Sequence, residues 1–189
     1  MKYLLLGNGE IDDGADFPAA DCVVQFNLCR HRARVPAQAR RYVFISNTGS
    51  PTERSVAFIL AERDHPALRG AVIVCARNPL FYRLKQAGLR LRRAALWRDF
   101  TLSDAPRRLG EAWRVETIGF WNALGLEWRM RREGMPAAHM PSTGMIAFDW
   151  ARRRMRSGDS LELAGFAWKG WEGHPWEIER RLMEPEDSK

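Results

Sequence analysis

The last quarter of this chain carries the residues whose chemistry is most specific. Pro141-Ser142-Thr143-Gly144 precedes an amphipathic segment, and His174 lies in a loop rich in tryptophan and glycine, five positions before Glu179. Hydroxyl groups and free backbone amides at a helix start can hold a phosphate. Histidine titrates near neutral pH and suits general-base work. The segment therefore has the residue types for transfer chemistry on a phosphate-bearing ligand, while an ordinary helix N-cap and a structural histidine stand as alternatives.

A second candidate site lies near the start of the chain. Gly7-Asn8-Gly9 follows the first apolar run, and Asn27 ends the second. Glycines let a backbone approach a ligand closely, and an asparagine amide both donates and accepts hydrogen bonds. A dinucleotide fingerprint is not formed, because Asp12 stands where the third glycine belongs and Asn27 replaces the expected acidic ribose ligand. An ordinary Rossmann dehydrogenase is therefore the weakest candidate, and a tight turn remains open for the glycines.

Short apolar runs bounded by turn residues predict the strands that position these loops. The predicted strands are Tyr3–Leu6, Cys22–Phe26, Tyr42–Ile45, Ala71–Cys75 and Leu161–Phe166. Helical periodicity predicts helices between and after them, at Thr52–Arg63, Pro79–Ala87, Arg107–Leu124, Ser142–Arg156 and Pro175–Met183. Gly88 and Gly125 are expected to end the second and third of these helices, and 127–140 is interpreted as a polar connection.

The alternation of strands and helices predicts an α/β fold of three layers, with a mainly parallel, Rossmann-like sheet covered by helices on both faces. Ligands of such sheets bind outside the carboxyl ends of the strands. The loops at 7–9, Asn27, Asn47 and 165–174 are therefore expected at one edge. We expect one domain over 1–183 and a flexible tail over 184–189.

Composition narrows the class of protein. The chain has 189 residues, 46% of them hydrophobic, and eight tryptophans, which excludes a disordered protein. The net charge of +7 attracts anions, but the arginines are spread along the chain and no nucleic-acid-binding motif accompanies them. Three cysteines and four histidines lack metal-ligand spacing, so we expect no metal and a cytoplasmic location, with peripheral contact with the inner membrane as the closest approach to a bilayer.

The motifs together resemble those of the sialyltransferases. Gly7-Asn8-Gly9 with the stretch from Asp21 to Asn27 resembles the large sialylmotif, and Pro141-Ser142-Thr143-Gly144 with Leu161–Phe166 is similar to the small one. His174 and Glu179 match the very small motif. The resemblance implies a Rossmann-like sialyltransferase variant and metal-independent, inverting transfer of a sugar, foremost sialic acid, from a CMP-sugar to a glycan or glycolipid hydroxyl, with no further cofactor.

The resemblance also implies roles for individual residues. His174 would be the general base, and Glu179 would give structural support. Lys169 would stabilise the leaving phosphate, because the third sialylmotif, which supplies the usual histidine, is absent from Trp168 to Gly173. The nucleotide would be bound by Gly7, Asn8, Gly9, Asn27, Ser142, Thr143 and Gly144.

The missing motif leaves a second hypothesis open. Compact chains of this kind also resemble proteins labelled urease operon accessory proteins, a label that implies association and no chemistry. The chain is then a non-catalytic, nucleotide-binding relative. The enzyme is the leading interpretation of the sequence.

Overall fold

The computed structural model describes residues 1–11, 19–91 and 102–184. Asp12 and nearly all of the predicted tail lie outside the described residues. The strands are β1 (Lys2–Leu6), β2 (Cys22–Phe26), β3 (Arg40–Ile45), β4 (Val72–Cys75), β5 (Arg114–Thr117) and β6 (Ser160–Ala164). The helices are α1 (Ser50–Ala61), α2 (Pro79–Leu91), α3 (Ala105–Gly110), α4 (Phe120–Arg132), α5 (Thr143–Arg152) and α6 (Trp176–Met183).

The six strands form one sheet in the order β5-β4-β3-β2-β1-β6, and every pairing is parallel. Alternate residues of each strand point to opposite faces. One face packs with α4, α5 and α6, and the other with α1 and α3. The predicted three-layer α/β fold with a Rossmann-like parallel sheet is confirmed.

The apolar character of the central strands explains their position. All residues of β2 are buried, and so are Leu4, Leu5 and Leu6 of β1. Strands covered on both faces have this nearly continuous apolar pattern, which Gln25 interrupts in β2. Cys22, Cys29 and Cys75 are buried and free, and burial raises the pKa of each thiol to about 12.

The middle of the chain differs from the prediction. The single helix expected over Arg107–Leu124 is wrong, because α3 ends at Gly110 and β5 follows before α4 begins at Phe120. The β-branched Val115 and Thr117 favour a strand, and β5 gains a full ladder along β4. Of the apolar positions that suggested one helical face, Leu109 lies on α3, Trp113 lies in the turn before β5, and Phe120 and Leu124 lie on α4.

Two expected helix ends are also displaced. Gly88 lies inside α2 and Gly125 inside α4, since both helices continue past their glycines. The start of α5 agrees with prediction: Ser142 is its N-cap, and the Ser142 hydroxyl accepts a hydrogen bond from the Met145 amide. Among the described residues, no helix combines the length and the apolar character that a membrane crossing requires.

The contact between the loops after β1 and β6 leads to a test of the fold. A Cβ atom added to Gly7 would lie 2.1 Å from the Gly165 carbonyl oxygen, whereas one added to Gly88 meets nothing within 4 Å. We expect Gly7→Ala to lower the free energy of unfolding by about 3 kcal/mol, because backbone atoms must move. Gly88→Ala should raise it by roughly 0.5–1 kcal/mol through helix propensity. Urea denaturation followed by circular dichroism measures both, and an unchanged midpoint for Gly7→Ala would contradict this packing.

Candidate functional site

A cleft of about 1050 Å³ opens at the carboxyl edge of the sheet. The loops after β1, β2 and β6 form it with the starts of α5 and α6, because the carboxyl ends of parallel strands meet at one edge. Every site residue predicted from the sequence lines this cleft: Gly7, Asn8, Gly9, Asn27, Ser142, Thr143, Gly144, Lys169, His174 and Glu179. The structure therefore brings together segments from both ends of the chain.

The glycines of the first loop serve a close backbone approach. The Gly7 amide donates to the Ala164 carbonyl at 2.7 Å, and the Gly9 amide donates to the Gly165 carbonyl at 2.7 Å. Gly165 has a φ of 68°, a conformation that favours glycine. Packing between these two loops accounts for Gly7 and Gly9 without a ligand, so the tight-turn alternative has a structural basis.

The two asparagines fix neighbouring loops in different ways. The Asn8 amide nitrogen donates to the Phe26 carbonyl at 2.9 Å, and its side-chain oxygen accepts from the Arg30 amide at 3.2 Å. Asn27 has a φ of 46°, and its side-chain oxygen accepts from the Ser46 amide at 3.0 Å. Both polar ends of Asn8 are thus engaged within the chain. The side-chain nitrogen of Asn27 has no hydrogen-bond partner among the described residues and is the group that a ligand could use.

Asn47 lies at the same edge but outside the cleft. Its side-chain oxygen accepts from the Arg77 amide at 2.7 Å, and its side-chain nitrogen donates to the Arg77 carbonyl at 3.0 Å. This paired contact ties the loop after β3 to the loop after β4. Asn47 therefore has a role in holding the edge together.

Glu179 is the most deeply buried ionisable group of the cleft wall, with 1% of its surface exposed. Its carboxylate accepts from the Ser142 amide at 2.6 Å and from the Ser142 hydroxyl at 2.5 Å. Burial raises the pKa of Glu179 to about 7, although the Ser142 hydrogen bonds and the positive charge of Arg77 act against this shift. The carboxylate thereby holds the start of α5 against α6.

A buried arginine lies behind this contact. Arg77 is 7% exposed, and its guanidinium donates to the Pro141 carbonyl at 2.8 Å. Burial lowers the pKa of Arg77 to about 10, so it keeps its charge at neutral pH. Nothing in the motif spacing pointed to this residue, because its importance depends on its position beneath Pro141.

His174 is held in one tautomer. Its Nδ1 lies 2.9 Å from the Met140 carbonyl oxygen, which can only accept, so Nδ1 carries the hydrogen and Nε2 is an acceptor. The rings of Trp171 and Trp176 meet the imidazole edge-on, with centroids 4.9 Å and 5.1 Å away. Burial lowers the pKa of His174 to about 4, and the charge of Arg77 acts in the same direction. The histidine is neutral at pH 7 and is a weak base.

Positive charge and aromatic rings line the remaining walls. Lys169 is joined by Arg30 and Arg54, which the motif analysis did not select. Arg30 lies three positions after Asn27, and this closeness to a predicted site residue could have identified it. Arg54 lies on α1, which carries none of the motifs. The rings of Phe166 and Trp168 stack with centroids 5.5 Å apart.

Backbone strain is also found at the cleft. Trp168 has a φ of 50°, a left-handed conformation that is unusual for a bulky residue. Such strain costs about 1–3 kcal/mol and concentrates at functional sites. Trp168 and Trp176 line the cleft, whereas Trp171 packs on His174.

Over residues 1–11, 19–91 and 102–184, no three His, Cys, Asp or Glu residues are grouped so that they could hold a metal ion.

The chain is similar to a curated protein of Rhizobium meliloti (strain 1021) named urease operon 23 kDa accessory protein. The two are 26% identical over 193 residues, an alignment that spans 96% of this chain and 86% of the relative. No family model and no solved structure matches the chain. The resemblance to urease operon accessory proteins is supported, and the resemblance to sialyltransferases is not.

The expected glycosyltransferase activity is therefore wrong. The relative is named for an accessory role, which favours the second hypothesis from the sequence. The geometry offers a physical reason, because an efficient general base has a pKa near the working pH, and that of His174 lies at about 4. The motif residues nonetheless converge in one cleft.

The titration of Glu179 leads to a second prediction. Its carboxyl keeps a proton up to about pH 7 in the folded chain, whereas the ordinary pKa of a glutamate carboxyl is 4.5. The folded state thus binds more protons in this window, so the contribution of this group is full below pH 4.5 and is lost as the pH rises through 7. We expect the free energy of unfolding of the wild type, minus that of Glu179→Gln, to fall by about 3 kcal/mol across this range.

Urea denaturation at a series of pH values measures this difference. Taking the difference between the two proteins cancels the opposite contribution of His174, whose lowered pKa makes stability rise with pH. A difference that is constant with pH would show that Glu179 is already ionised in the acidic range.

A third prediction concerns His174 itself. We expect its imidazole to titrate with a midpoint near pH 4 in the folded chain and near 6.5 in urea. NMR of the histidine ring protons follows the titration, and His174→Gln assigns the signal. A midpoint near 6.5 in the folded chain would contradict the burial of this ring.

Proposed function

We propose that this chain is a non-catalytic accessory protein that binds a nucleotide in the cleft at the carboxyl edge of its sheet. The observation that carries the proposal is the convergence of the α5 start with three cationic side chains, Arg30, Arg54 and Lys169, in one cleft. Phosphate is the ligand group that this combination suits.

The start of α5 supports a phosphate position. The Ser142 hydroxyl accepts from the Met145 amide, so the amides of Thr143 and Gly144 are left as the first two of α5 without intrahelical acceptors. The helix dipole favours a negative charge at this end. Because Glu179 occupies the Ser142 amide, the ligand has these two amides and the cationic side chains as its donors.

The aromatic wall supports a ring beside the phosphate. Phe166, Trp168 and Trp176 line the same cleft as the cations, and flat rings stack on nucleobases or sugars. The side-chain nitrogen of Asn27 offers a donor to a carbonyl or hydroxyl oxygen. A nucleotide combines these parts, which a simple inorganic anion does not.

The accessory part of the proposal comes from the relative. A protein aligned over 96% of this chain is named for an accessory role in a urease operon, and we transfer a role of this general kind. The neutral, weakly basic His174 fits a protein that holds its ligand without transforming it. In this proposal the histidine positions Met140 and offers Nε2 as an acceptor to the ligand.

Calorimetric titration with CMP, AMP and inorganic phosphate is the fourth test. We expect at least one nucleotide to bind more tightly than phosphate, and Lys169→Ala with Arg54→Ala to weaken its binding by about tenfold or more, because charge-assisted hydrogen bonds to the phosphate are lost. Arg107→Ala is the matched control, since that side chain is 78% exposed on α3.

The outcomes separate the parts of the proposal. Absence of nucleotide binding at millimolar concentration would overturn it. Equal affinity for nucleotides and phosphate would show that the aromatic wall does not bind a base or sugar ring. Chromatography of the nucleotide after incubation should recover it unchanged, and its conversion to another product would overturn the non-catalytic role.

A further inference from the structure

Helices α2 and α4 each carry a second apolar stripe that faces away from the core. Within α4, Leu126 and Met130 are buried on one side, while Trp121, Leu124 and Trp128 recur at helical spacing on the other. Their exposed fractions are 77%, 39% and 58%. The exposure is therefore a property of one face of α4 and not of scattered residues.

The stripe on α2 has the same form. Leu80 and Leu84 are 58% and 57% exposed, whereas Tyr82 and Leu89 are buried. The two helices are neighbours, since the Phe81 and Phe120 rings lie 6.0 Å apart. We call the five exposed side chains the tryptophan face: Leu80, Leu84, Trp121, Leu124 and Trp128. Clusters of exposed apolar side chains of this kind mark interaction surfaces.

The charges around the tryptophan face have one sign. On the described positions of α2 and α4, Glu127 is the one acidic residue, and it is 9% exposed and paired with Lys85 and Arg131. The exposed charged residues of these two helices are Arg83, Arg129 and Arg132; Arg129 is paired with Asp149, and the Arg132 guanidinium lies 4.8 Å from the centre of the Trp128 ring. The exposed Glu133, which follows α4, is paired with Arg181. The face is thus apolar with a basic border, in a chain whose net charge is +7.

We infer that the tryptophan face docks on an anionic lipid surface. Tryptophan and leucine insert at the boundary between headgroups and acyl chains, and arginines beside them are attracted to acidic headgroups. The inference concerns a face distinct from the nucleotide cleft and does not depend on the proposed function.

Two other occupants fit the face less well. A protein partner is recognised in part by directional hydrogen bonds, about one per 100–200 Å². The five side chains of the tryptophan face itself carry two hydrogen-bond donors, the indole nitrogens of Trp121 and Trp128, and no acceptor. A second copy of the chain would bring the same basic border against itself. A lipid surface needs no directional pairing and supplies the opposite charge.

Vesicle co-sedimentation of the full chain tests the inference. The probes are vesicles of equal parts phosphatidylglycerol and phosphatidylcholine, and vesicles of phosphatidylcholine alone. We expect binding to the anionic vesicles and a loss of about tenfold or more in Arg83→Gln with Arg132→Gln, because each arginine near the surface contributes about a fivefold factor. Arg63→Gln with Arg107→Gln makes the same change in net charge, at side chains that are 68% and 78% exposed elsewhere, and should weaken binding less.

Brominated phosphatidylcholine in the anionic vesicles reports which tryptophans reach the lipid. Quenching of the fluorescence should be strong in the wild type and much reduced in Trp121→Phe with Trp128→Phe, which keeps the apolar surface and the binding. Circular dichroism checks that these exposed substitutions preserve the fold.

Three outcomes would overturn the inference. One is the absence of binding to anionic vesicles. Another is an equal loss in the two arginine pairs, which would show general attraction by net charge. The third is a dimer in sedimentation velocity that Trp121→Ser with Trp128→Ser dissociates, which would make the face a contact between copies of the chain.

Discussion

Three consecutive residues before α5 are each fixed by a different ionisable side chain, and the shape of the cleft depends on these contacts. His174 holds the Met140 carbonyl, Arg77 holds the Pro141 carbonyl, and Glu179 holds the amide and hydroxyl of Ser142. The side chains come from the loop before α6, the loop after β4 and α6 itself. Segment 140–142 therefore joins distant parts of the sheet edge, and the direction in which α5 presents its first amides is set by all three contacts together.

These contacts also explain why charged groups are kept in a part of the chain where burial is costly. Arg77 and Glu179 are almost fully buried. Burial favours the uncharged form of each side chain, so it lowers the pKa of Arg77 and raises the pKa of Glu179. Removing either side chain would leave its backbone partner, the Pro141 carbonyl or the Ser142 amide, buried without a hydrogen bond, which costs about 1–3 kcal/mol. The set fixes one geometry for 140–142, because backbone carbonyls and amides are satisfied only when all three side chains are in place.

The sequence predicted most of the sheet but not its fifth strand. Strands β1 to β4 each contain a run of at least three apolar residues that composition makes evident. Val115 and Thr117 on the edge strand instead alternate with charged neighbours and fall within a helical spacing. The strand is decided by its ladder with β4, which no local pattern contains. Ten residues of the cleft were predicted from motifs at both chain ends, but Arg30 and Arg54 were not. Arg77, which lies behind the cleft, was not predicted either, because its role arises only from the position of the β4 loop beneath Pro141.

The similarity to an accessory protein overturns the enzymatic interpretation, and the contacts that the motif residues make within the chain give each of them a structural role. Gly7 and Gly9 permit the contact with Gly165, Asn8 joins the loops after β1 and β2, and Glu179 caps the segment before α5. These contacts pack the loops together at the carboxyl edge of the sheet, and they are needed whether or not a reaction takes place there. Spacing in the sequence therefore specifies the geometry of the cleft. General-base chemistry depends on a further condition that spacing does not carry, a pKa matched to neutral pH, and burial of His174 between Trp171 and Trp176 lowers its pKa to about 4.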